Sequence, residues 1–468
     1  MVALKRFQVF GVLLALLTLV VGPVVYTGFN DLNAAESALS EKNFSDATNL
    51  FESAARKLFW RSDLWEEAGL ASYKYGNQEN SIRLLEFSRQ KKLLSPTGWN
   101  TLGIDYWAKG DEASAIARWK SGLLLYPAFA PFYDQLITAY HEQGDYASEQ
   151  DALTKRLELG EDAEAHYRLG LLLTLSDQQR AEQEFNAAAS LDPRFKSVVK
   201  TLVFALNAAG NDPNFARQYV VIGRGLGLVE EWGLASISFE KAVYLDGMNA
   251  EAWAWLGEAR QQQGQDGSKE LDKAISFGPR DAVVHALRGL YWKRQGQYAK
   301  ALAEYQLAAE IEPDNPAWQI SIGESSALNG DLIFALSSYQ KATSLTPEDA
   351  TYWRLLAMFC SDNGVSVQDI GLPAAQKALE IAPNDPQVLD ALGWSYLNAG
   401  YLYNAEQNLL RAIKVAPDLA LTHIHLAETY LRKGDRASAF NELVNARKLD
   451  RNGPSGRVAS QLLNQYFP

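Results

Sequence analysis

The sequence predicts an all-α fold: a right-handed superhelical solenoid of about twelve helix-turn-helix units, with an N-terminal transmembrane helix and a C-terminal capping helix. Three features predict it: a repeat of about 34 residues, an uncharged apolar run at the start, and an amphipathic segment at the end. A length of 468 residues alone would suggest about three ordinary domains. The fixed period replaces that estimate, because repeated hairpins stack into one linear array.

Composition excludes several classes of function. The chain carries 44 Lys and Arg against 56 Asp and Glu, a net charge of −12. Nucleic acids and anionic lipids are bound mainly through Lys and Arg, so neither is expected as a partner. The single cysteine, Cys360, cannot form a disulfide within the chain or a cysteine-based metal cluster.

The apolar run lies at residues 7–26 and contains no charge. Its 20 residues are enough to cross about 30 Å of hydrocarbon, so residues 1–29 are expected to form a signal-anchor transmembrane helix. Lys5 and Arg6 precede the run and Asp31 follows it. The positive-inside rule then leaves the N-terminus in the cytoplasm and the body outside a cytoplasmic membrane of bacterial type.

A cleaved signal peptide is the alternative to this anchor, and it would leave a secreted protein. A cleavage site needs small residues before the cut. The nearest candidate, Val20 to Gly22, is followed by Pro23, which disfavours cleavage. The anchor is therefore the preferred interpretation, and cleavage and a buried hydrophobic helix stay open.

The repeat is visible when residues 99–127 are compared with residues 389–417. Counted from the start of each unit, similar residues recur at positions 7, 8, 11, 15, 20 and 32. The matching pairs are Leu102 and Leu392, Gly103 and Gly393, Tyr106 and Tyr396, Gly110 and Gly400, Ala115 and Ala405, and Pro127 and Pro417.

This spacing predicts two helices in each unit. Positions 4, 7, 8 and 11 share one face of a first helix, and positions 20, 24 and 27 share one face of a second. Glycine at position 15 ends the first helix, and proline at position 32 ends the second. One hairpin cannot bury both of its apolar stripes, so neighbouring units must stack.

The pattern resembles the tetratricopeptide repeat, in which W-x2-L-G-x2-Y is followed by alanine, an aromatic residue and proline. Unit starts are expected near residues 28, 62, 96, 130, 163, 216, 250, 282, 316, 350, 386 and 420. The resemblance implies a superhelix whose first helices line a concave groove, and a role in binding proteins or peptides.

The chain is expected to divide at an interruption of the repeat. A membrane-proximal block at residues 30–194 precedes an irregular extra helix at residues 195–215. A distal block follows at residues 216–453, and a capping helix at residues 454–468 covers the last apolar stripe.

The sequence offers no convincing catalytic motif. Tyr219 to Gly227 imitates a glycine-rich phosphate loop, but its glycines have the spacing G-x-G-x-G, and they fit the repeat. His423 and His425 are two residues apart and so lie on different faces of a helix. H-E-x-x-H and G-x-S-x-G are absent. No enzyme activity, cofactor or metal is therefore expected.

The candidate binding residues come from the resemblance, which places positions 2, 5, 9, 12 and 13 of each first helix on the concave groove. Exposed Trp and Arg are frequent binding anchors, so Trp107, Trp394 and Arg354 are the leading candidates. The known clamp for a C-terminal carboxylate is absent, because Ile104 replaces its asparagine. The full candidate set is Asn100, Trp107, Asp134, His141, Lys293, Arg294, Arg354, Trp394 and Arg432.

The expected function is that of a membrane-anchored scaffold or adaptor that binds a protein or peptide in its groove during assembly of an envelope complex. One alternative is a component of an envelope polysaccharide or glycosylation apparatus, in which Trp107 and Trp394 would stack on sugars. The other is a hydrolase or transferase hidden in the repeats, which would need acids or histidines converging in one pocket. The oligomeric state is not predicted.

Overall fold

The computed structural model describes the backbone of residues 2–468 and the side chains of residues 21–468. Its regular elements are all helical, which confirms the predicted fold class for this part of the chain. Short 3-10 and π turns occur at Pro193–Phe195 and Val367–Gly371. The α-helices are α1 Val2–Ser40, α2 Phe44–Lys57, α3 Leu64–Tyr75, α4 Gln78–Lys91, α5 Pro96–Ala108, α6 Glu112–Leu125, α7 Ala130–Gln143, α8 Tyr146–Glu158, α9 Ala163–Leu173, α10 Gln178–Leu191, α11 Lys196–Gly210, α12 Phe215–Leu228, α13 Trp232–Leu245, α14 Ala250–Gln262, α15 Ser268–Phe277, α16 Ala282–Arg294, α17 Tyr298–Ile311, α18 Pro316–Leu328, α19 Leu332–Leu345, α20 Ala350–Asn363, α21 Leu372–Ile381, α22 Pro386–Asn398, α23 Leu402–Val415, α24 Ala420–Lys433, α25 Arg436–Leu449 and α26 Pro454–Tyr466.

The helices form two compact units, Met1–Leu206 and Asn207–Pro468. The boundary falls inside α11, the helix that interrupts the repeat. In the first unit, α1 to α10 pair consecutively as first and second helices of a hairpin. In the second unit, α12 to α25 pair in the same way, and α26 packs against α24 and α25.

Most of the predicted membrane span, residues 7–26, lies outside the residues whose side chains the structure describes. Among residues whose side chains are described, no helix is both long enough and apolar enough to cross a bilayer. The C-terminal half of α1, which follows most of the predicted span, contributes to the core of the first unit. Leu32 and Ala35 are buried in one cluster with Ala47 and Phe51 of α2.

Close contact between the two helices of a hairpin explains positions 8 and 24. Gly103 of α5 lies directly beneath the indole of Trp119 of α6, and a Cβ at Gly103 would overlap that ring. Gly223 meets Phe239 in the same way in the second unit. The small residue on one helix therefore makes space for the large residue on the other.

The side chain at position 4 forms a hydrogen bond to the turn that connects successive repeats. Trp253 and Trp353 donate their ring N–H to the carbonyl oxygen six residues earlier, at 2.9 and 2.8 Å. His285 and His423 occupy the same position, and their Nε2 lies 3.1 Å from the corresponding carbonyl oxygen, that of a proline. Tryptophan and histidine can both occupy position 4, because each has a ring N–H that binds the first helix to the preceding turn.

The second nitrogen of His423 gives this position a dependence on pH. Nδ1 donates to Glu442 at 2.5 Å, and this bond holds the pKa of His423 above its ordinary value. The ordinary value, about 6.5, applies in the unfolded chain. Because the folded-state pKa is raised, the stabilisation is fully present below pH about 6.5 and is lost as pH rises through the raised pKa.

We expect His423→Trp to remove this pH dependence, since Trp353 shows that tryptophan keeps the bond to the carbonyl oxygen but does not titrate. The free energy of unfolding from urea titrations, measured from acid to alkaline pH, checks this. The wild type should lose stability relative to the variant as pH rises, and Glu442→Gln should abolish the same trend. A constant difference at all pH values would contradict the prediction.

Candidate functional site

All nine candidate residues lie on first helices of hairpins: α5 and α7 in the first unit, and α16, α20, α22 and α24 in the second. We call the surface formed by positions 2, 5, 9, 12 and 13 of these helices the first-helix face. Most polar candidates on it already bind a neighbouring residue.

Two neighbouring cations of the second unit form ion pairs with adjacent repeats. Arg294 makes a bidentate ion pair with Glu258 of α14, with nitrogen–oxygen distances of 2.6 and 2.7 Å. Lys293 binds Glu324 of α18 at 2.9 Å. These side chains link successive first helices, so their charges are already compensated within the unit.

Arg432 also binds to a neighbouring first helix, but through hydrogen bonds to uncharged acceptors. Its Nη1 donates to the carbonyl oxygen of Leu397 at 3.0 Å, and its Nη2 lies 3.4 Å from Oδ1 of Asn398. Both acceptors belong to α22, the previous first helix. The side chain therefore contributes hydrogen bonds near the C-terminal end of that helix, where cations are favoured.

The candidates of the first unit are engaged as well. Asp134 pairs with Arg156 at 2.8 Å, and Nδ1 of His141 lies 2.7 Å from Nη2 of Arg168. Trp107 is half-buried, with its ring centroid 6.0 Å from that of the core residue Trp119. Asn100 accepts a hydrogen bond from the Trp119 indole through its backbone carbonyl. Its buried side-chain Oδ1 has no hydrogen-bond partner in the described chain.

Trp394 belongs to a network of side chains that the sequence analysis did not find, in which His425 and Asp390 are buried and Asp362 is exposed. Its indole N–H donates to Asp362 at 2.7 Å, and its ring stacks on His425 with centroids 4.1 Å apart. Nδ1 of His425 in turn lies 2.9 Å from Asp390. Trp394 lies 32 residues from Asp362 in the sequence, and His425 lies 35 residues from Asp390, so each pair is separated by about one repeat. A search for polar partners one period away could therefore have found them.

Burial and neighbouring charges shift the pKa values of three side chains in and beside this network. Desolvation raises the pKa of Asp362 and of Glu428, so both carboxyls are harder to ionise than usual. Burial alone would lower the pKa of His425, but the adjacent Asp390 reverses this and raises it. The contact with Asp390 thus favours the charged form of the His425 imidazole despite its burial.

Arg354 differs from the other candidate cations. It is half-buried, and no hydrogen bond or ion pair to its guanidinium occurs within residues 21–468. It lies at a cavity of about 220 Å³ on the first-helix face, between α20, α22 and α24. The cavity is lined by Arg354, Met358, Gln387, Asp390, Leu419, Leu421 and Thr422.

This cavity combines an uncompensated guanidinium with aliphatic walls. Arginine can bind a carboxylate through two parallel hydrogen bonds, and burial strengthens such charge-assisted bonds. Met358 and Leu421 offer apolar contact beside it. The arrangement fits a peptide that presents a carboxylate next to an apolar side chain.

Catalytic and metal chemistry find little support in the geometry. Among the residues that the structure describes, no three His, Cys, Asp or Glu residues are grouped as metal ligands. Cys360 is buried, and desolvation raises the pKa of its thiol to about 11. A thiol with that pKa is a poor nucleophile at neutral pH.

Comparison with known proteins supports the repeat assignment. A tetratricopeptide repeat family model matches residues 386–419, which contain α22 and α23. Superkiller protein 3 of Schizosaccharomyces pombe is 22% identical over 305 residues, 60% of this chain and 20% of that protein. Superkiller complex protein 3 of Homo sapiens is 27% identical over 295 residues, 60% of this chain and 18% of that protein. The chain thus spans about a fifth of the length of these relatives.

Two solved structures are similar over nearly the whole chain. The crystal structure of the APC/C hetero-tetramer Cut9-Hcn1 covers 96% of this chain and 99% of its own, with 14% identity and a TM-score of 0.45. The crystal structure of the yeast Tom70 covers 94% and 95%, with 14% identity and a TM-score of 0.43. The family match thus identifies one tetratricopeptide repeat, at residues 386–419, and the sequence relatives are similar to a larger part of the chain.

Proposed function

We propose that this chain is a tetratricopeptide repeat scaffold that binds a protein partner on the first-helix face of its second unit. The partner presents a carboxylate to Arg354 and an apolar side chain to the adjacent cavity. The observation that carries the proposal is the uncompensated guanidinium of Arg354 beside that cavity. The other cationic candidates of this face are already bound to neighbouring residues. The proposal includes no catalytic step.

The proposed setting is the outer side of a cytoplasmic membrane, with residues 7–26 as the anchor and an envelope complex as the product of assembly. The apolar run and the charges that flank it support this orientation. Protease treatment of spheroplasts tests it, because an outward-facing body is digested before lysis. Digestion only after lysis would reject the orientation.

A role in glycan binding has weaker support. Such a role would use an open aromatic face for stacking on a sugar. The ring of Trp394 already stacks on His425, and its N–H is bound by Asp362. The ring of Trp107 is half-buried beside Trp119.

Site-specific crosslinking in living cells tests the proposed contact. A photo-crosslinking amino acid is placed at Leu421, which lines the cavity and is 45% exposed, so the fold should tolerate it. We expect one protein to be captured, and Arg354→Gln to lower its yield about tenfold, as for an arginine anchor at an interface. Mass spectrometry identifies the captured protein.

Lys293→Gln is the matched control, because Lys293 lies on the same face but is paired with Glu324. Its crosslinking yield should equal that of the wild type. An undiminished yield with Arg354→Gln would reject the proposed contact.

A further inference from the structure

A second groove occurs in the first unit, on the side of the hairpins formed by second helices. It encloses about 520 Å³ between α6, α7 and α8. Leu123 and Leu124 of α6 form one wall, and Tyr133 and Tyr140 of α7 form the floor. Leu124 is 87% exposed, far more than packing of the hairpin requires. We call this cavity the second-helix groove.

The second unit contains the same groove at the equivalent place, between α17, α18 and α19, with a volume of about 420 Å³. Each residue that lines this groove lies 186 positions after its counterpart in the first unit, so that Glu310, for example, corresponds to Leu124. Leu123 is replaced there by Ala309, and Leu124 by Glu310. The repeat fold therefore forms this groove without the two leucines, although Ile322 and Phe334 still line it. The exposed leucines of the first unit need another explanation.

The charge at the second-helix groove also differs from that of its equivalent. Lys120 lies at the groove, with Nζ 5.6 Å from the ring centroid of Tyr140, and it forms no ion pair with any residue whose side chain is described. Lys155 pairs with the exposed Asp151 at 2.6 Å. The charged residues that line the groove are thus Lys120, Lys155 and Asp151, two cations against one anion, on a chain of net charge −12. The position equivalent to Lys120 in the second unit is Gln306, which is neutral.

We propose that the second-helix groove binds a segment of another protein that carries a large apolar side chain with a carboxylate beside it. The apolar side chain lies between Leu124 and Tyr133, and the carboxylate reaches Lys120. A second copy of the chain is a poorer fit, because two bodies of charge −12 repel each other. The site uses none of the residues around Arg354, so the chain offers two docking surfaces built from different residues.

The test is selection of binding peptides from a phage-displayed random library on the full chain. Enriched peptides are synthesised with a fluorescent label, and their affinities are measured by fluorescence polarisation. We expect them to share a large apolar residue with Asp or Glu within about one helical turn. Leu124→Glu, which copies Glu310 of the equivalent groove, should weaken binding about tenfold or more.

Lys120→Gln, which copies Gln306, should weaken binding and reduce its dependence on salt concentration. Glu310→Gln is the control and should leave the affinities of the Leu124-dependent peptides unchanged. Lys120 and Leu124 are exposed, so circular dichroism should show that their variants fold normally.

Three results would overturn the proposal. The first is a library that yields no peptide whose affinity depends on Leu124. The second is a set of enriched peptides without acidic residues. The third is a wild-type dimer, seen by sedimentation, that Leu124→Glu dissociates, because the occupant would then be a second copy.

Discussion

Replacing Trp119 by alanine should lower the free energy of unfolding of the first unit by about 3–5 kcal/mol, the range for removing a large buried aromatic side chain. Trp119 is 1% exposed and lies in one cluster with Leu102, Ala115 and Phe132. Gly103 beneath the ring offers no side chain that could fill the vacated space. The cavity would therefore persist.

The effect should be measured by urea unfolding and by hydrogen exchange. Exchange should accelerate in α5 and α6 and, less strongly, in the neighbouring α4 and α7, because each hairpin depends on its neighbours for burial. Trp60→Ala is the control, since Trp60 is 49% exposed and its loss should cost less than about 1 kcal/mol. Equal effects of the two substitutions would contradict the packing described for positions 8 and 24.

The repeat could be predicted from the sequence because its determinants are local. Gly103 and Trp119 are 16 residues apart within one hairpin, and helical periodicity alone places them on facing stripes. The repeat spacing alone also places both Trp353 and His423 at position 4. The reason that both residues fit there, a hydrogen bond to the preceding turn, required coordinates.

The binding residues were harder to predict, because a pattern of exposed positions does not show which charges are compensated. Arg294 and Arg354 both occupy first helices, and each has an acid 36 residues away, at Glu258 and Asp390 respectively. Glu258 binds its arginine, whereas Asp390 is bound by His425 instead. Competition between partners from adjacent repeats therefore decides which cation stays free. The second-helix groove could not be predicted in this way, because the resemblance places candidate residues on first helices and gives no positions on the outer face.

Replacing Arg294 by alanine is expected to destabilise the second unit by about 2–4 kcal/mol, since it leaves a buried carboxylate without its cation. Glu258 is 3% exposed and would keep only the hydrogen bond from Gln262, at 2.8 Å. The value lies below that of a fully buried pair because the side chain of Arg294 is 35% exposed and so partly screened by solvent.

Lys293→Ala provides the control at the adjacent position. Its partner Glu324 is 41% exposed, so the loss should be about 0–1 kcal/mol. The double variant Arg294→Met with Glu258→Leu should recover most of the stability, because no buried charge remains uncompensated. If Arg294→Ala proved as harmless as Lys293→Ala, the pair with Glu258 would contribute little to folding. Arg294 would then again be a candidate for binding a partner, as its position in the repeat first suggested.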